Sequence, residues 1–150
     1  MKERNVFDNL SPLDYRYWDK EVADYLSEEA FTKFKLQVEV ALIEVLYDHD
    51  LCRKKIVEEV KRACQQIITE EVYKEEERIH HDTRALVNCL RLKVSEEVKP
   101  FVHMTATSFD ISDTANALRF KWVINDVVLP ALIDFEKILI PAIRQRTIKR

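Results

Sequence analysis

Not one of the 150 residues is glycine, where average usage would supply roughly ten. Glycine provides the positive-φ positions of tight hairpins and lets a backbone approach a phosphate closely. Its absence therefore excludes a P-loop and a dinucleotide-binding fold, and points to helices joined by ordinary turns. Cysteine is scarce and odd in number: Cys52, Cys64 and Cys89 fall within helical patterns. None has the electropositive setting that makes a thiolate, so they read as reduced structural thiols of a cytoplasmic protein. Metal-ligand spacing is missing as well. His49 and His103 stand alone, and neither Cys-x-x-Cys nor His-x-x-x-His occurs, so no metal is expected. The densest apolar stretch, Trp122 to Ile143, is interrupted by Asp126, Asp134, Glu136 and Lys137, which argues against a membrane span. Met1-Lys2-Glu3-Arg4-Asn5 opens no apolar signal segment. A formal charge of −3 gives no reason to expect nucleic acid or an anionic membrane as partner.

What is present is a globular composition, 47% apolar and 34% charged, of a length that buries a real core. Ser11-Pro12 signals a turn in an irregular opening, followed by a short helix through Val22 and Leu26. Ser27 reads as an N-cap with Glu28 and Glu29 behind it. Phe31, Phe34, Val38, Ala41, Leu42 and Val45 then step by three and four, predicting a helix to about Tyr47 with that face buried. A second helix is predicted from Lys54 to Ile68. A third, capped by Thr69-Glu70-Glu71, is predicted to run unbroken through His80-His81-Asp82 to about Val94. Pro100 marks a break and 101–107 reads as irregular. Thr107-Ser108-Phe109-Asp110 fits a capping box opening a long helix, with a kink or restart at Pro130 and Pro141. The fold class is all-α. The dense stripe from Trp122 to Ile143 needs a cover, from more chain, other subunits or the earlier helices.

Four places concentrate polar groups. Asp14-Tyr15-Arg16-Tyr17-Trp18 offers a guanidinium fork suited to phosphate or carboxylate, though a ring-covered surface arginine explains it equally. His80-His81-Asp82 lies mid-helix on this reading, where neighbours point about 100° apart and cannot share a metal. His81 then either donates to an anion or is a half-buried core residue. His103 followed by Thr105, Thr107 and Ser108 at a helix start makes an anion site or simply a capped helix. The basic tail of Arg144, Arg146, Lys149 and Arg150 reads as a solvated face.

Taken in order, these segments resemble the adenylosuccinate lyases. Ser11-Pro12-Leu13-Asp14-Tyr15-Arg16-Tyr17, Glu71-Val72-Tyr73 with His80-His81-Asp82, and Phe101-Val102-His103 running into Ala106-Thr107-Ser108-Phe109-Asp110-Ile111-Ser112-Asp113-Thr114-Ala115 carry the likeness. The last string is specific for the wider fumarase and aspartase superfamily. The resemblance implies an amino-terminal helical domain over 1–106 and the first long helix of a central bundle over 107–150. It implies β-elimination of fumarate from adenylosuccinate and from a succinylated carboxamide ribotide, without cofactor, in a cytoplasmic homotetramer. It assigns Arg16 and Tyr17 to a nucleotide phosphate, and His81 with Asp82 to substrate contact. His103 falls near the phosphate and acid pocket, and Thr107 and Ser108 grip carboxylates. His80 receives no role. The general-acid histidine and the base serine of a Gly-Ser-Ser loop belong to later segments of such enzymes, so these residues alone are expected to be inactive. Thr105 stands where the family usually has glycine, which bears on the backbone before Ala106. Self-association through 118–143 is expected. Argininosuccinate lyase, a carboxymuconate cycloisomerase and a non-catalytic interaction protein are the rival readings.

Overall fold

The computed structural model of the chain describes residues 6–9 and 14–148, and all of its regular structure there is helical. The Ser11-Pro12 turn and the Lys149-Arg150 end of the basic tail lie outside the described residues. Two short helices, α1 (Asp14–Tyr17) and α2 (Lys20–Leu26), lead into α3 (Glu28–Asp48). The Ser27 hydroxyl caps α3 by accepting the Ala30 N–H at 3.2 Å, and Glu28 and Glu29 occupy its positive first turn.

The buried face of α3 differs from the expected one. Thr32, Leu36, Glu39, Ile43 and Leu46 form the inward line, with Phe34 and Lys35 beside it, whereas Val45 is 51% exposed and Ala41 faces solvent. This is about one residue, or 100°, of rotation from the stripe of most apolar side chains. The reason is that Lys35 and Glu39 find polar partners in Asp82 and His103, so polar residues hold positions a hydrophobic count assigns to the surface.

Helix α4 (Lys54–Cys64) buries Ile56, Val57, Val60 and Ala63 and ends before the expected Ile68. Gln65 and Gln66 turn the chain there, and Ile68, 63% exposed, gives its N–H to the Glu71 carboxylate at 3.1 Å. Ile68 rather than Thr69 is thus the residue that precedes the next helix.

The expected long third helix is two helices. α5 (Thr69–Ile79) stops at His80, whose backbone is left-handed (φ 56°, ψ 40°), and α6 (Asp82–Leu92) begins after His81. The two run antiparallel, tied by Asn88 to Glu75 at 2.7 Å and Lys93 to Glu71 at 3.0 Å. Reversal lets Val72 on α5 and Leu86, Val87 and Leu90 on α6 share one core with Ile43 and Val60. A straight helix would bury only one of these sets.

A short 3-10 turn (Lys99–Phe101) and an irregular stretch then lead to α7 (Ser108–Val123). It passes without a break through a π-helical turn (Ile124–Val128) into α8 (Leu129–Ile148). The wide turn sits directly before Pro130, which has no N–H to give and needs room for its ring. Helix α7 packs on α3 and α2 through Ile111, Ala115 and Val123. Tyr25 also donates to Asp126 in the π-turn at 3.0 Å. Beyond Val123 no described residue is buried; Phe135 is 58%, Ile138 69% and Ile143 62% exposed. The earlier helices therefore do not cover the apolar stripe.

Candidate active site

The absent glycine does not mean absent positive φ. Asp50, His80, His103 and Thr105 all take it, at 59°, 56°, 61° and 68°. Three of these flank the polar clusters. Left-handed backbone costs an L-residue about 1–2 kcal/mol, and a β-branched one such as Thr105 is the least suited. The positive-φ backbone before Ala106 is thus adopted by a residue poorly suited to it.

The His80 turn changes the position of the next two side chains. His81, instead of lying mid-helix, is the N-cap of α6, its Nδ1 accepting the Arg84 N–H at 3.3 Å. That acceptance leaves the ring proton on Nε2, which lies 3.4 Å from Ser108 Oγ at the start of α7. Helix starts separated by 27 residues in sequence therefore meet at one point. Thr107 gives its N–H to Asp110 at 2.9 Å, the backward arm of the expected capping box. His81 remains half-exposed, so this corner is open to solvent.

Behind it, Asp82 is paired to Lys35 at 3.4 Å. The lysine side chain is only 7% exposed, with its ammonium 4.5 Å from the centre of the Phe31 ring. Partial burial opposes ionisation of Asp82, but the Thr83 N–H and the Lys35 charge prevail and hold the carboxyl below its ordinary value. The buried Thr83 hydroxyl lies 3.2 Å from Ser112 Oγ, a second link between α6 and α7. One turn along α3 from Lys35, Glu39 approaches His103 Nδ1 at 2.7 Å. No hydrogen bond joins His81 to His103. They are related through α3, whose Lys35 and Glu39 hold one residue of each cluster.

Arg16 and Tyr17 sit on the surface helix α1, Tyr17 72% exposed. His80 lines a separate open cleft of about 440 Å³ with Tyr73, Glu76 and Glu77. Among the described residues no group of three or more His, Cys, Asp or Glu has the arrangement to hold a metal ion. Nor is any helix long and apolar enough to cross a membrane. Sequence reasoning missed Lys35, Glu39, Thr83 and Ser112. The signal available was the run of polar residues Thr32, Lys35 and Glu39 at helical spacing in line with Leu36, Ile43 and Leu46.

Comparison with known proteins finds adenylosuccinate lyases among the proteins similar to this chain. The chain is 34% identical over 112 residues to an adenylosuccinate lyase of Archaeoglobus fulgidus, covering 75% of this chain and 24% of that protein. It is 35% identical over 114 residues to one of Methanocaldococcus jannaschii, covering 75% and 25%. With one of Buchnera aphidicola the figures are 32% over 154 residues, covering 90% and 34%. The chain spans about a quarter to a third of the length of these curated relatives. No family model matches it, and no solved structure does.

Proposed function

We propose, from the kinship of this chain with the adenylosuccinate lyases, that it forms the substrate-holding part of a C–N β-eliminating lyase. Such an enzyme releases fumarate from adenylosuccinate, leaving AMP, and from the succinylated carboxamide ribotide of purine synthesis. The single observation that carries the reading is the meeting of His81 Nε2 with Ser108 Oγ. When the imidazole donates to the serine oxygen, the serine hydrogen is directed outward. Ser108, the Thr107 hydroxyl and the positive end of α7 then form a donor array suited to a carboxylate. In β-elimination charge grows on the carboxylate next to the carbon that loses its proton, and donors fixed in advance stabilise it most. Arg16 and Tyr17 take the nucleotide phosphate, and Asp82 holds the first turn of α6 in place through Lys35.

Proton transfer requires an acid and a base that these 150 residues do not supply. With no glycine, the Gly-Ser-Ser loop of the family is not among them. The site is completed by further segments or subunits, in a homotetramer of the cytoplasm, with 107–150 entering its central bundle as a unit distinct from 1–106. The chain by itself binds and does not turn over.

Calorimetric titration with adenylosuccinate and AMP tests this. The expected result is binding that weakens about tenfold or more in Ser108→Ala and His81→Ala, the usual effect of losing a charge-assisted hydrogen bond. Equal binding by the variants would overturn the site. Fumarate release above background from the purified chain would overturn the division of labour. Binding of argininosuccinate in preference to AMP would move the reading to a different lyase. Association without any nucleotide binding would favour the interaction protein, which the exposed stripe on α8 also fits.

A further inference from the structure

Glu39 is 2% exposed, and among the described residues its carboxylate meets His103 Nδ1 at 2.7 Å. A carboxylate this deeply buried is costly unless paired. The imidazole side chain is itself 14% exposed, so the contact is largely screened from water. An ionised carboxylate only accepts, so the ring hydrogen at this contact belongs to Nδ1. The other nitrogen, Nε2, is then the one left to meet whatever lies outside. The backbone supports the same arrangement. His103 and Thr105 are both left-handed, at 61° and 68°, and this strained turn leads directly to Thr107 and Ser108. A buried hydrogen bond at its first residue is the kind of contact that keeps such a conformation populated.

We propose that Glu39 is a positioning residue that fixes the tautomer and direction of His103, so that the bare Nε2 is presented as an acceptor to a hydroxyl or N–H group of the substrate. The assignment of that donor rests on the lyase reading above, while the Glu39–His103 geometry does not. The carboxylate orients the ring as second partners orient catalytic or ligating imidazoles elsewhere. Of the two, only His103 contacts substrate.

The test is nitrogen NMR of the His103 ring in the whole chain, at a pH where the imidazole is neutral, in wild type, Glu39→Gln and Glu39→Met. Gln keeps the shape and an acceptor; Met keeps only the shape. The expected pattern is a proton on Nδ1 in wild type, partly retained in Gln and lost in Met. A wild-type ring protonated on Nε2 overturns the proposal without reference to any variant, and so does an unchanged Met spectrum. Titration with AMP, which offers ribose hydroxyls and an amino group, followed at the same ring, supplies the second readout. Wild type is expected to respond, with affinity falling about tenfold in Met and less in Gln. No AMP response, with the Nδ1 proton still dependent on Glu39, would remove the assignment of the substrate donor and uphold the positioning role.

Discussion

At the scale of single residues, a chain without glycine has to make its tight corners from side chains that resist them. Thr105 is the clearest instance, a β-branched residue at φ 68°. Thr105→Gly is expected to raise stability by about 0.5–1 kcal/mol, the relief of left-handed strain less the added freedom of the unfolded chain. Thr105→Ala, which keeps a Cβ, should gain much less; urea unfolding of the two variants measures the difference. The three cysteines share one electrostatic setting, dominated by burial. Burial pushes the Cys64 thiol up to about 12, and burial also raises Cys52 and Cys89. Cys64 is therefore expected to react with a disulfide reagent at neutral pH far more slowly than an unperturbed thiol. Rapid labelling of the folded protein would contradict this.

At the scale of elements, the break at His80 matters most. It turns one predicted helix into an antiparallel pair and makes His81 a cap rather than a mid-helix side chain. Periodicity did not reveal it because a two-residue joint, left-handed at His80 and extended at His81, leaves the apolar spacing on either side intact. Asp82, in the first turn of α6, ties that joint to α3 through Lys35. Asp82→Asn should cost about 1–2 kcal/mol at neutral pH, less than a fully buried pair because the carboxylate is half-exposed, yet real because Lys35 loses its partner. The folded carboxyl sits below its ordinary value, so its contribution is complete above the unfolded value of about 4. It is lost as pH falls through the lowered one. Wild type and variant are thus expected to differ at pH 7 and to converge in acid. A gap that persisted below pH ~3 would mean the effect is not ionic.

At the scale of the whole molecule, the helical core and the long rod have different status. Ile43, Leu86, Leu90 and Ile111 are essentially sealed, whereas α8 lies along no other described element and leaves Phe135, Ile138, Ile140 and Ile143 in solvent. Exposed apolar area on this scale favours association. Sedimentation of the chain is expected to show concentration-dependent assembly, reduced to monomer by Phe135→Glu with Ile140→Glu. Melting of the core should hold within about 0.5 kcal/mol, as for surface positions. A wild-type monomer at high concentration would remove the stripe as an interface.

The sequence by itself determined that the chain is helical, where most helices start, and that Ser27 and Asp110 cap two of them. These follow from local spacing and cap chemistry, which act within a few residues. Its likeness to adenylosuccinate lyases, 34% and 35% identical over about three quarters of the chain, is likewise a property of the sequence. Only the tertiary structure decided which face of α3 is buried, since Lys35 and Glu39 are admitted to the interior by partners 47 and 64 residues away. It likewise decided that His81 meets Ser108 across two helix starts. Contacts of that separation depend on how helices pack around a shared core, and no local pattern in the chain encodes them.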